Sequence, residues 1–312
     1  MLYINTRDKI DSYTAARTLL QDSADNGGAF LPIRLPVYDL QQLEAIMQLS
    51  FNDAIAHILN VFFSKNLTGW DVEFAIGRKP LNVVILNGKI VVAELWGSTA
   101  GNYKRAACRL YARLCEGQDA SDKPTGWAAI AIRVAYLFGL FGELGRLDIH
   151  GADLAVTASD ADAVLAAWYA RKMGLPIGTI ICASTENGWI WGLLHKGEVS
   201  LASNFSADIS AGIERLLYSC FGGDQVNNYL RAVESRSIYK VESHMRDKLN
   251  EGLFTAVIGN KRADGLIGSV LTTTGYQIDS NSAASYGALQ DYRAQTGENN
   301  ITLLLTEDAP NR

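Results

Sequence analysis

Two carboxylates mark the expected start of a helix in the middle of the chain. Asp160 and Asp162 lie between the strand-like segment "ADLAVT" and the helical pattern of "AVLAAWYARKMG". A helix that starts after a strand is a common phosphate site, because its free N–H groups and the positive end of its dipole face the anion. Glycines usually form such loops, whereas carboxylates repel a phosphate. These residue types favour an ordinary helix start, with Asp160 as the N-cap and Asp162 complementing the dipole.

A lysine at the start of a predicted helix is the second candidate for chemistry. Lys104 opens the segment "KRAACRLYARLCEG", in which Arg105, Arg109 and Arg113 follow at helical spacing. A lysine that forms a Schiff base needs a lowered pKa and a fixed position, and a neighbouring arginine could lower its pKa. The alternative interpretation is a solvated lysine on a basic helix face. The four histidines lack the spacing of metal ligands, so we expect no metal site.

The composition is typical of a globular protein. The 312 residues are 48% hydrophobic and 20% charged, and the net charge of −5 gives no indication of nucleic-acid binding. The longest apolar run, Trp127 to Gly145, is interrupted by Arg133 and Glu143, which predicts a buried helix rather than a membrane span. The polar first ten residues do not resemble a signal peptide, and the cysteines lack C-x-x-C spacing. We expect a cytoplasmic protein.

The elements that must position these residues can be outlined from periodicity. The first 75 residues are expected to be mainly helical, with Ser12 and Ser50 as N-caps and a Gly/Pro loop, "DNGGAFLPIRLP", between the two helical segments. Asn87-Gly88 predicts a tight hairpin turn between two β-branched runs. The order strand, helix, strand over "ADLAVT", the Asp160 helix and "IGTIICAS" implies a parallel pair and a three-layer α/β fold. We predict a helical N-terminal subdomain over residues 1–78 and an α/β main domain over residues 79–312.

Several segments resemble motifs of the threonine synthase family in the same order. "AWYARKMGLPIGTIICASTENG" is similar to that family's helix ending in K-K-M-G-L-P and its strand ending in A-x-N-E-N. Further similar stretches are "LYINTR", "SADNGGAFLP", "IVVAELWGSTAGNYKR", "SADISAGIERLLY" and "GYQIDSNSAASYGALQDYRAQTG". The resemblance implies the Rossmann-like scaffold of the fold-type-II pyridoxal-phosphate enzymes.

The positions that the family uses for its cofactor have changed in this sequence. The lysine that holds pyridoxal phosphate falls on Lys104, with Gly97 and Arg105 at altered neighbouring positions. The phosphate-binding T-G-N-F-G-N loop falls on residues 158–163, where both glycines are absent and Asp160 and Asp162 are present. In the family, a hydroxyl group contacts the pyridine nitrogen of the cofactor, and Thr306 is the candidate for it in this sequence. The family's D-P-H-T-A segment falls on residues 279–283 without its proline and histidine.

The resemblance also indicates a substrate region and a missing lobe. "LYINTR" would place Asn5 and Arg7 near the substrate pocket, where Arg7 could hold an anionic ligand or form a surface ion pair. The family's mobile lobe should lie between the Lys104 helix and the Trp127 helix, but only "EGQDASDKP" is present there, which is too short for a βαβ unit.

These departures predict a degenerate, shortened threonine synthase-like protein. The favoured interpretation is a pseudoenzyme without cofactor that binds a partner protein or a small anionic metabolite. The alternative is a pyridoxal-phosphate-dependent lyase or synthase of amino-acid metabolism, acting through Lys104 on O-phosphohomoserine or a similar activated amino acid. That alternative needs a new phosphate site, for which Arg105 with Arg109 is the candidate.

Loss of the lobe would also expose apolar surface that the lobe once covered. We expect such a surface near Trp96 and the helix that begins at Trp127, together with a protein partner or an oligomer that covers it. Most of the tryptophans are expected in the core, although Trp96, Trp189 and Trp191 could instead line a small-molecule pocket.

Overall fold

The computed structural model describes residues 1–78, 81–96, 102–157, 160–200 and 206–309. The strands are β1 Leu2–Asn5, β2 Asp8–Thr14, β3 Phe30–Pro32, β4 Asn82–Asn87, β5 Ile90–Glu94, β6 Ala152–Thr157, β7 Ile177–Ser184, β8 Glu198–Ser200, β9 Ile238–Lys240, β10 Leu253–Val257 and β11 Thr302–Thr306. The helices are α1 Ala15–Leu20, α2 Leu40–Gln48, α3 Phe51–Phe63, α4 Gly69–Ile76, α5 Tyr103–Leu114, α6 Gly126–Gly145, α7 Ala161–Lys172, α8 Trp189–Trp191, α9 Ala207–Phe221, α10 Gly223–Glu234, α11 Ser243–Asn250, α12 Asn260–Thr274 and α13 Ser280–Thr296. A π-helical turn, Gly192–Lys196, follows α8.

A six-stranded sheet with the order β10-β7-β6-β11-β5-β4 forms the centre of the molecule. All neighbouring strands are parallel except β4, which pairs antiparallel with β5. The predicted parallel pair β6 and β7 is therefore confirmed, and α7 connects the two strands as expected. The predicted hairpin is also confirmed, but its turn lies one residue later than expected, because Asn87 pairs with Ile90 and leaves Gly88 and Lys89 as the turn.

Alternation along the strands separates the core into two layers. Leu154 and Val156 of β6 belong to the larger cluster, which contains α6, α7 and α9, whereas Ala155 faces the cluster formed with α12 and α13. This period of two buries both faces of the sheet, as expected for strands covered by helices on both sides. The three-layer α/β architecture predicted from the sequence is confirmed.

The expected N-terminal helix is confirmed only as the short helix α1, Ala15–Leu20, and the residues before it form strands β1 and β2. Strand β3 lies in the segment expected to be a Gly/Pro loop. Strands β1, β2 and β3 form a small antiparallel sheet with the order β2-β1-β3. Ser12 lies inside β2, and Thr14 caps α1 instead. Pairing of Tyr13 with Tyr3 explains the error, since a contact between strands overrides local helix propensity. The later caps follow the prediction, and Ser50 accepts a hydrogen bond from the backbone N–H of Asp53.

Helix α6 passes through the centre of the larger core. It is the one helix, among the residues that the structure describes, with the length and hydropathy to cross a membrane, and 83% of its apolar window is buried inside the protein. Trp127 at its start is fully buried. The predicted burial of this helix is therefore confirmed, because α3, α2 and α7 cover it, and the apolar surface expected near its start is not on the helix itself. The segment between α5 and α6, residues 115–125, contains no strand or helix, so α5 leads to α6 through a loop.

Candidate functional site

The parallel strands of the central sheet all end at one edge, which we call the carboxyl edge. Strand β11 lies between β5 and β6, so the chain passes over β11 on its way from β5 to β6. Elements after β5, β6 and β11 consequently begin side by side at this edge. A crevice at such a switch in strand order is the usual ligand site of open α/β sheets.

A buried arginine occupies this switch point. Arg133 of α6 forms ion pairs with Asp160, the N-cap of α7, and with Glu307, the residue after β11. Its guanidinium carbon lies 4.4 Å from the centre of the Tyr103 ring, at the first residue of α5. We call these four residues the Arg133 cluster. The cluster joins the starts of α5 and α7 to the end of β11 and lies in the crevice between them.

Burial and charge determine the protonation state of the cluster. Burial alone would lower the pKa of Arg133, but the carboxylates of Glu307 and Asp160 raise the pKa overall, so the guanidinium remains charged. Burial raises the pKa of the Tyr103 hydroxyl, which therefore stays neutral. The arginine side chain is 11% exposed, whereas the side chains of Asp160 and Glu307 are 40% and 28% exposed. The cluster is thus a partly desolvated ion-pair network open to solvent on its acidic side.

The two carboxylates at the start of α7 have different roles. Asp160 caps the helix, and its Oδ1 accepts a hydrogen bond of 2.9 Å from the backbone N–H of Asp162. Its Oδ2 is the atom that pairs with Arg133. Asp162 is half-buried, and burial raises the pKa of its carboxyl to about 6, against the opposing effect of Arg215. The predicted cap and first-turn acid are confirmed, while residues 158 and 159 of the family's phosphate loop lie outside the described part of the chain.

A cleft of about 940 Å³ opens at the same edge, beyond the ends of β6, β7 and β10. Thr157 and Ser184 at the strand ends line it, together with the first residues of α12 and α13. The charged lining residues are Glu186, Glu198, Asp264 and Lys196. The neutral polar ones include Asn187, Asn260, Asn281, Ser200 and Ser206. The lining is therefore rich in hydrogen-bonding groups and carries more carboxylates than ammonium groups.

The other predicted site residues lie apart from this cleft. Lys104 and Arg105 are exposed on the first turn of α5, and neither lines the cleft. Thr306 is buried, and its hydroxyl donates to the backbone carbonyl of Ala93 over 3.1 Å. Gly97 lies outside the described residues.

Asn5 and Arg7 belong to a separate network at the N-terminal sheet. Arg7 forms an ion pair of 2.7 Å with the buried carboxylate of Glu214 in α9. Thr6 donates to the same carboxylate, also over 2.7 Å. Asn5 is fully buried, and its Oδ1 accepts hydrogen bonds from the backbone N–H groups of Arg7 and Asp8. The structure therefore brings Asn5 and Arg7 into one network, in which Arg7 pairs with Glu214.

The sequence also contained a signal for the Arg133 cluster that the predictions did not use. Arg133 is the one charged residue within the first seventeen residues of α6, whose other residues are almost all apolar. A charged side chain in such a helix is buried only when it is paired, so an acidic partner was to be expected. Glu307 had no such local signal, because it is 174 residues away along the chain.

Comparisons with known proteins agree on one family. The family model for the threonine synthase N terminus matches residues 2–78. Human threonine synthase-like 1 is 27% identical over 144 residues, which cover 43% of this chain and 19% of that protein. Threonine synthase of Pseudomonas aeruginosa is 23% identical over 186 residues, which cover 57% of this chain and 39% of that protein. The matched stretches thus span less than half of these relatives.

Solved structures match almost the whole chain. Threonine synthase from Brucella melitensis, a structure described as bound to PLP, aligns with a TM-score of 0.84 at 18% identity over 99% of this chain and 89% of that chain. Threonine synthase from yeast gives the same TM-score at 15% identity, over 99% of this chain and 87% of that chain.

The chain thus has the mixed α/β fold of these threonine synthase structures. The family model, the sequence relatives and the solved structures all indicate the threonine synthase family, as the sequence motifs predicted.

Proposed function

We propose that this protein is a threonine synthase-like pseudoenzyme that does not use pyridoxal phosphate and binds a small polar molecule in the cleft at the carboxyl edge. The observation that carries the proposal is the pairing of Arg133 with Asp160 and Glu307. The resemblance places the cofactor phosphate at Asp160, and Glu307 directly follows Thr306, the candidate for the pyridine nitrogen.

The residues at the start of α7 do not fit the cofactor. A phosphate there would need the backbone N–H of Asp162, which already donates to Asp160. Each charge-assisted hydrogen bond of an intact loop would contribute about 1.5–3 kcal/mol. A carboxylate a few ångströms from the phosphate would instead cost about 1–4 kcal/mol. Lys104 is exposed on α5, and the residues at the start of α7 offer no phosphate-binding group that would orient a cofactor attached to it.

The cleft supports a particular kind of ligand. Its three carboxylates against one ammonium favour a neutral or cationic molecule over the small anionic metabolite considered from the sequence. Hydroxyl and amide side chains around the cleft favour a ligand with several hydrogen-bonding groups, such as an amine, an amino alcohol or an amino sugar. The function best supported is therefore binding of such a molecule, without the family's cofactor chemistry.

Cofactor binding can be tested directly. Pyridoxal phosphate is added to the pure protein, the visible Schiff-base absorbance is recorded, and the mixture is reduced with borohydride and mapped by mass spectrometry. We expect scattered, substoichiometric labelling of surface lysines that is unchanged in Lys104→Ala. A stoichiometric label on Lys104, lost in Lys104→Ala, would instead support the lyase or synthase alternative acting on O-phosphohomoserine or a similar substrate.

A restoring variant tests where the phosphate position lies. Asp160→Asn with Asp162→Gly removes both carboxylates and keeps a side chain that can cap the helix. If Asp160 occupies the former phosphate site, this variant should bind pyridoxal phosphate more tightly than the unmodified protein. Equal affinity would show that the resemblance assigns the loop to the wrong place.

Ligand binding in the cleft is tested by thermal shift with a panel of amines, amino sugars, polyols and phosphate. We expect stabilisation by members that carry an amine and none by phosphate. Glu186→Lys with Asp264→Lys should abolish that preference, whereas Asp247→Lys with Glu298→Lys, outside the cleft, should retain it. Stabilisation by phosphate alone would contradict the proposed ligand class.

A further inference from the structure

Two large aromatic side chains of α4 are exposed to solvent. Trp70 is 78% exposed and Phe74 is 87% exposed, the highest values among the large hydrophobic residues that the structure describes. They are four residues apart, so they lie on the same face of the helix. Val72 and Ile76, on the opposite face, are fully buried and anchor α4 to the core. The aromatic pair is therefore displayed on a helix whose opposite face packs on the core.

Exposed arginines continue this surface on the neighbouring helix α5. Arg113 near the end of α5 pairs with Asp71 near the start of α4 at 2.5 Å. Arg109 and Arg105 precede Arg113 by one and two turns, and both are exposed. No ion pair involves either of these two among the residues that the structure describes. Their positive charges are therefore available to a partner.

The two helices run antiparallel, which brings these side chains together. The end of α4 precedes Asn82 by only a few residues, and Asn82 pairs with Glu94 at the end of β5. Because α5 begins a few residues after Glu94, the end of α4 and the start of α5 lie toward the same edge of the sheet. Phe74 lies about one turn from Asp71 toward the end of α4, and Arg109 lies one turn from Arg113 toward the start of α5. Because the helices are antiparallel, both residues lie on the same side of the Asp71–Arg113 pair.

We infer that Trp70, Phe74, Arg105 and Arg109, which we call the α4–α5 face, bind an acidic amphipathic helix of a partner protein. Aromatic and arginine side chains are the types enriched at the energetic centres of protein interfaces. The apolar stripe of such a helix would pack on Trp70 and Phe74, and its carboxylates would meet the two arginines.

Charge distinguishes this partner from the alternatives. The chain carries a net charge of −5, so a basic face on it is a local feature and not a property of the whole surface. A second copy that used the same face would set arginine against arginine across the twofold axis, which is unfavourable.

The position of the face agrees with a role in binding. Helix α5 leads directly into the loop at residues 115–125, where the sequence resemblance places the additional lobe of the family. The outer side of α5 is therefore open to solvent next to that position. The prediction of a partner at the face left by the lobe thus becomes a proposal for specific residues on α4 and α5.

The experiment uses the full chain and a fluorescent helical peptide that carries a leucine stripe flanked by glutamates. A peptide with lysine in place of every glutamate is the control for charge. We expect the acidic peptide to bind at least roughly tenfold more tightly than the basic peptide, with an affinity that falls as salt is added. Trp70→Ser with Phe74→Ser, and separately Arg105→Glu with Arg109→Glu, should each weaken binding at least roughly tenfold. Arg231→Glu with Lys240→Glu, at exposed positions elsewhere, should leave binding unchanged.

Several results would overturn the proposal. They are equal binding of the acidic and basic peptides, no binding at millimolar peptide, or acidic-peptide binding that survives both pairs of substitutions. Sedimentation of the protein alone and with phosphatidylserine vesicles tests the other occupants. A dimer or a vesicle complex that Trp70→Ser with Phe74→Ser abolishes would assign the face to a second copy or to a membrane. Circular dichroism of each variant verifies that these surface changes leave the fold intact.

Discussion

Replacing Arg133 by methionine should destabilise the protein by about 3 kcal/mol, an amount intermediate between two limits. Removing one partner of a fully buried ion pair costs about 3–5 kcal/mol, whereas an exposed pair contributes about 0–1 kcal/mol. Arg133 is 11% exposed, but Asp160 and Glu307 are 40% and 28% exposed, so water can partly solvate the carboxylates that remain. Loss of the contact with the Tyr103 ring adds about 0.5–1 kcal/mol. Methionine retains the apolar stem, which limits the contribution from a cavity.

The measurement is the free energy of unfolding in urea, followed by circular dichroism. Arg231→Met, at an exposed position on α10, is the matched control and should change that free energy by less than about 0.5 kcal/mol. Adding Asp160→Asn and Glu307→Gln to Arg133→Met should recover part of the loss, because no unpaired carboxylate then remains. Asparagine at position 160 still caps α7.

Comparing Arg133→Met, the two carboxylate changes and their combination tests whether the three groups are coupled. If the effect of Arg133→Met and the effect of the two carboxylate changes add to within about 0.5 kcal/mol, the three groups are not coupled. The cluster would then be a set of independent surface contacts. The interpretation of the crevice as holding an ion-pair network would be wrong.

Three further predictions concern stability. Asp162→Asn should raise the free energy of unfolding by about 2–3 kcal/mol near pH 8 and hardly change it near pH 3.5. Burial raises the pKa of Asp162 to about 6, so the folded state favours the neutral carboxyl. The unmodified protein therefore loses stability as this carboxyl ionises between about pH 4 and pH 6, which urea titrations at several pH values would reveal. Arg7→Met should cost about 3 kcal/mol in the same assay, because it leaves the carboxylate of Glu214 buried without its cation, and a loss below about 1 kcal/mol would contradict this. Gly126→Ala should cost at least about 2 kcal/mol, since Gly126 has a φ of +55° and an added Cβ would lie 2.5 Å from a carbonyl oxygen, whereas Gly88→Ala meets no atom within 4 Å and serves as the control.

Periodicity predicted the main sheet well because its strands have local signals. The apolar runs of β5, β6, β7 and β11 are largely buried on both faces, and such strands differ clearly from the helices between them. Strand β4, at the edge of the sheet, is only partly buried and was predicted from its β-branched residues and the turn that follows it. The N-terminal strands were missed for the opposite reason. Strand β2, "DKIDSYT", has little apolar alternation, and its conformation depends on pairing with β1. Strand β3 has only three residues.

The candidate site was predictable only in part. Asp160 has a local role as a cap, so its position could be predicted from the residues around it. The pairing of Arg133 with Glu307 depends on the insertion of β11 between β5 and β6, which no local pattern reveals. The same holds for Arg7, whose partner Glu214 is 207 residues away. Local sequence patterns therefore predicted the role of single residues such as Asp160, whereas the topology determined which distant residues pair.

The geometry of Asp160 determines what a phosphate at the start of α7 would have to displace. One carboxylate oxygen accepts the N–H of Asp162, and the other pairs with Arg133. A phosphate at the start of α7 would have to take that N–H and displace the carboxylate, so it would lose a cap of about 1 kcal/mol and most of an ion-pair network of about 3 kcal/mol. Those losses match the gain from one or two charge-assisted hydrogen bonds of about 1.5–3 kcal/mol each. Binding of the cofactor would therefore compete with the interactions that hold α6, α7 and β11 together, and a substitution at Asp160 has to relieve both contacts at once.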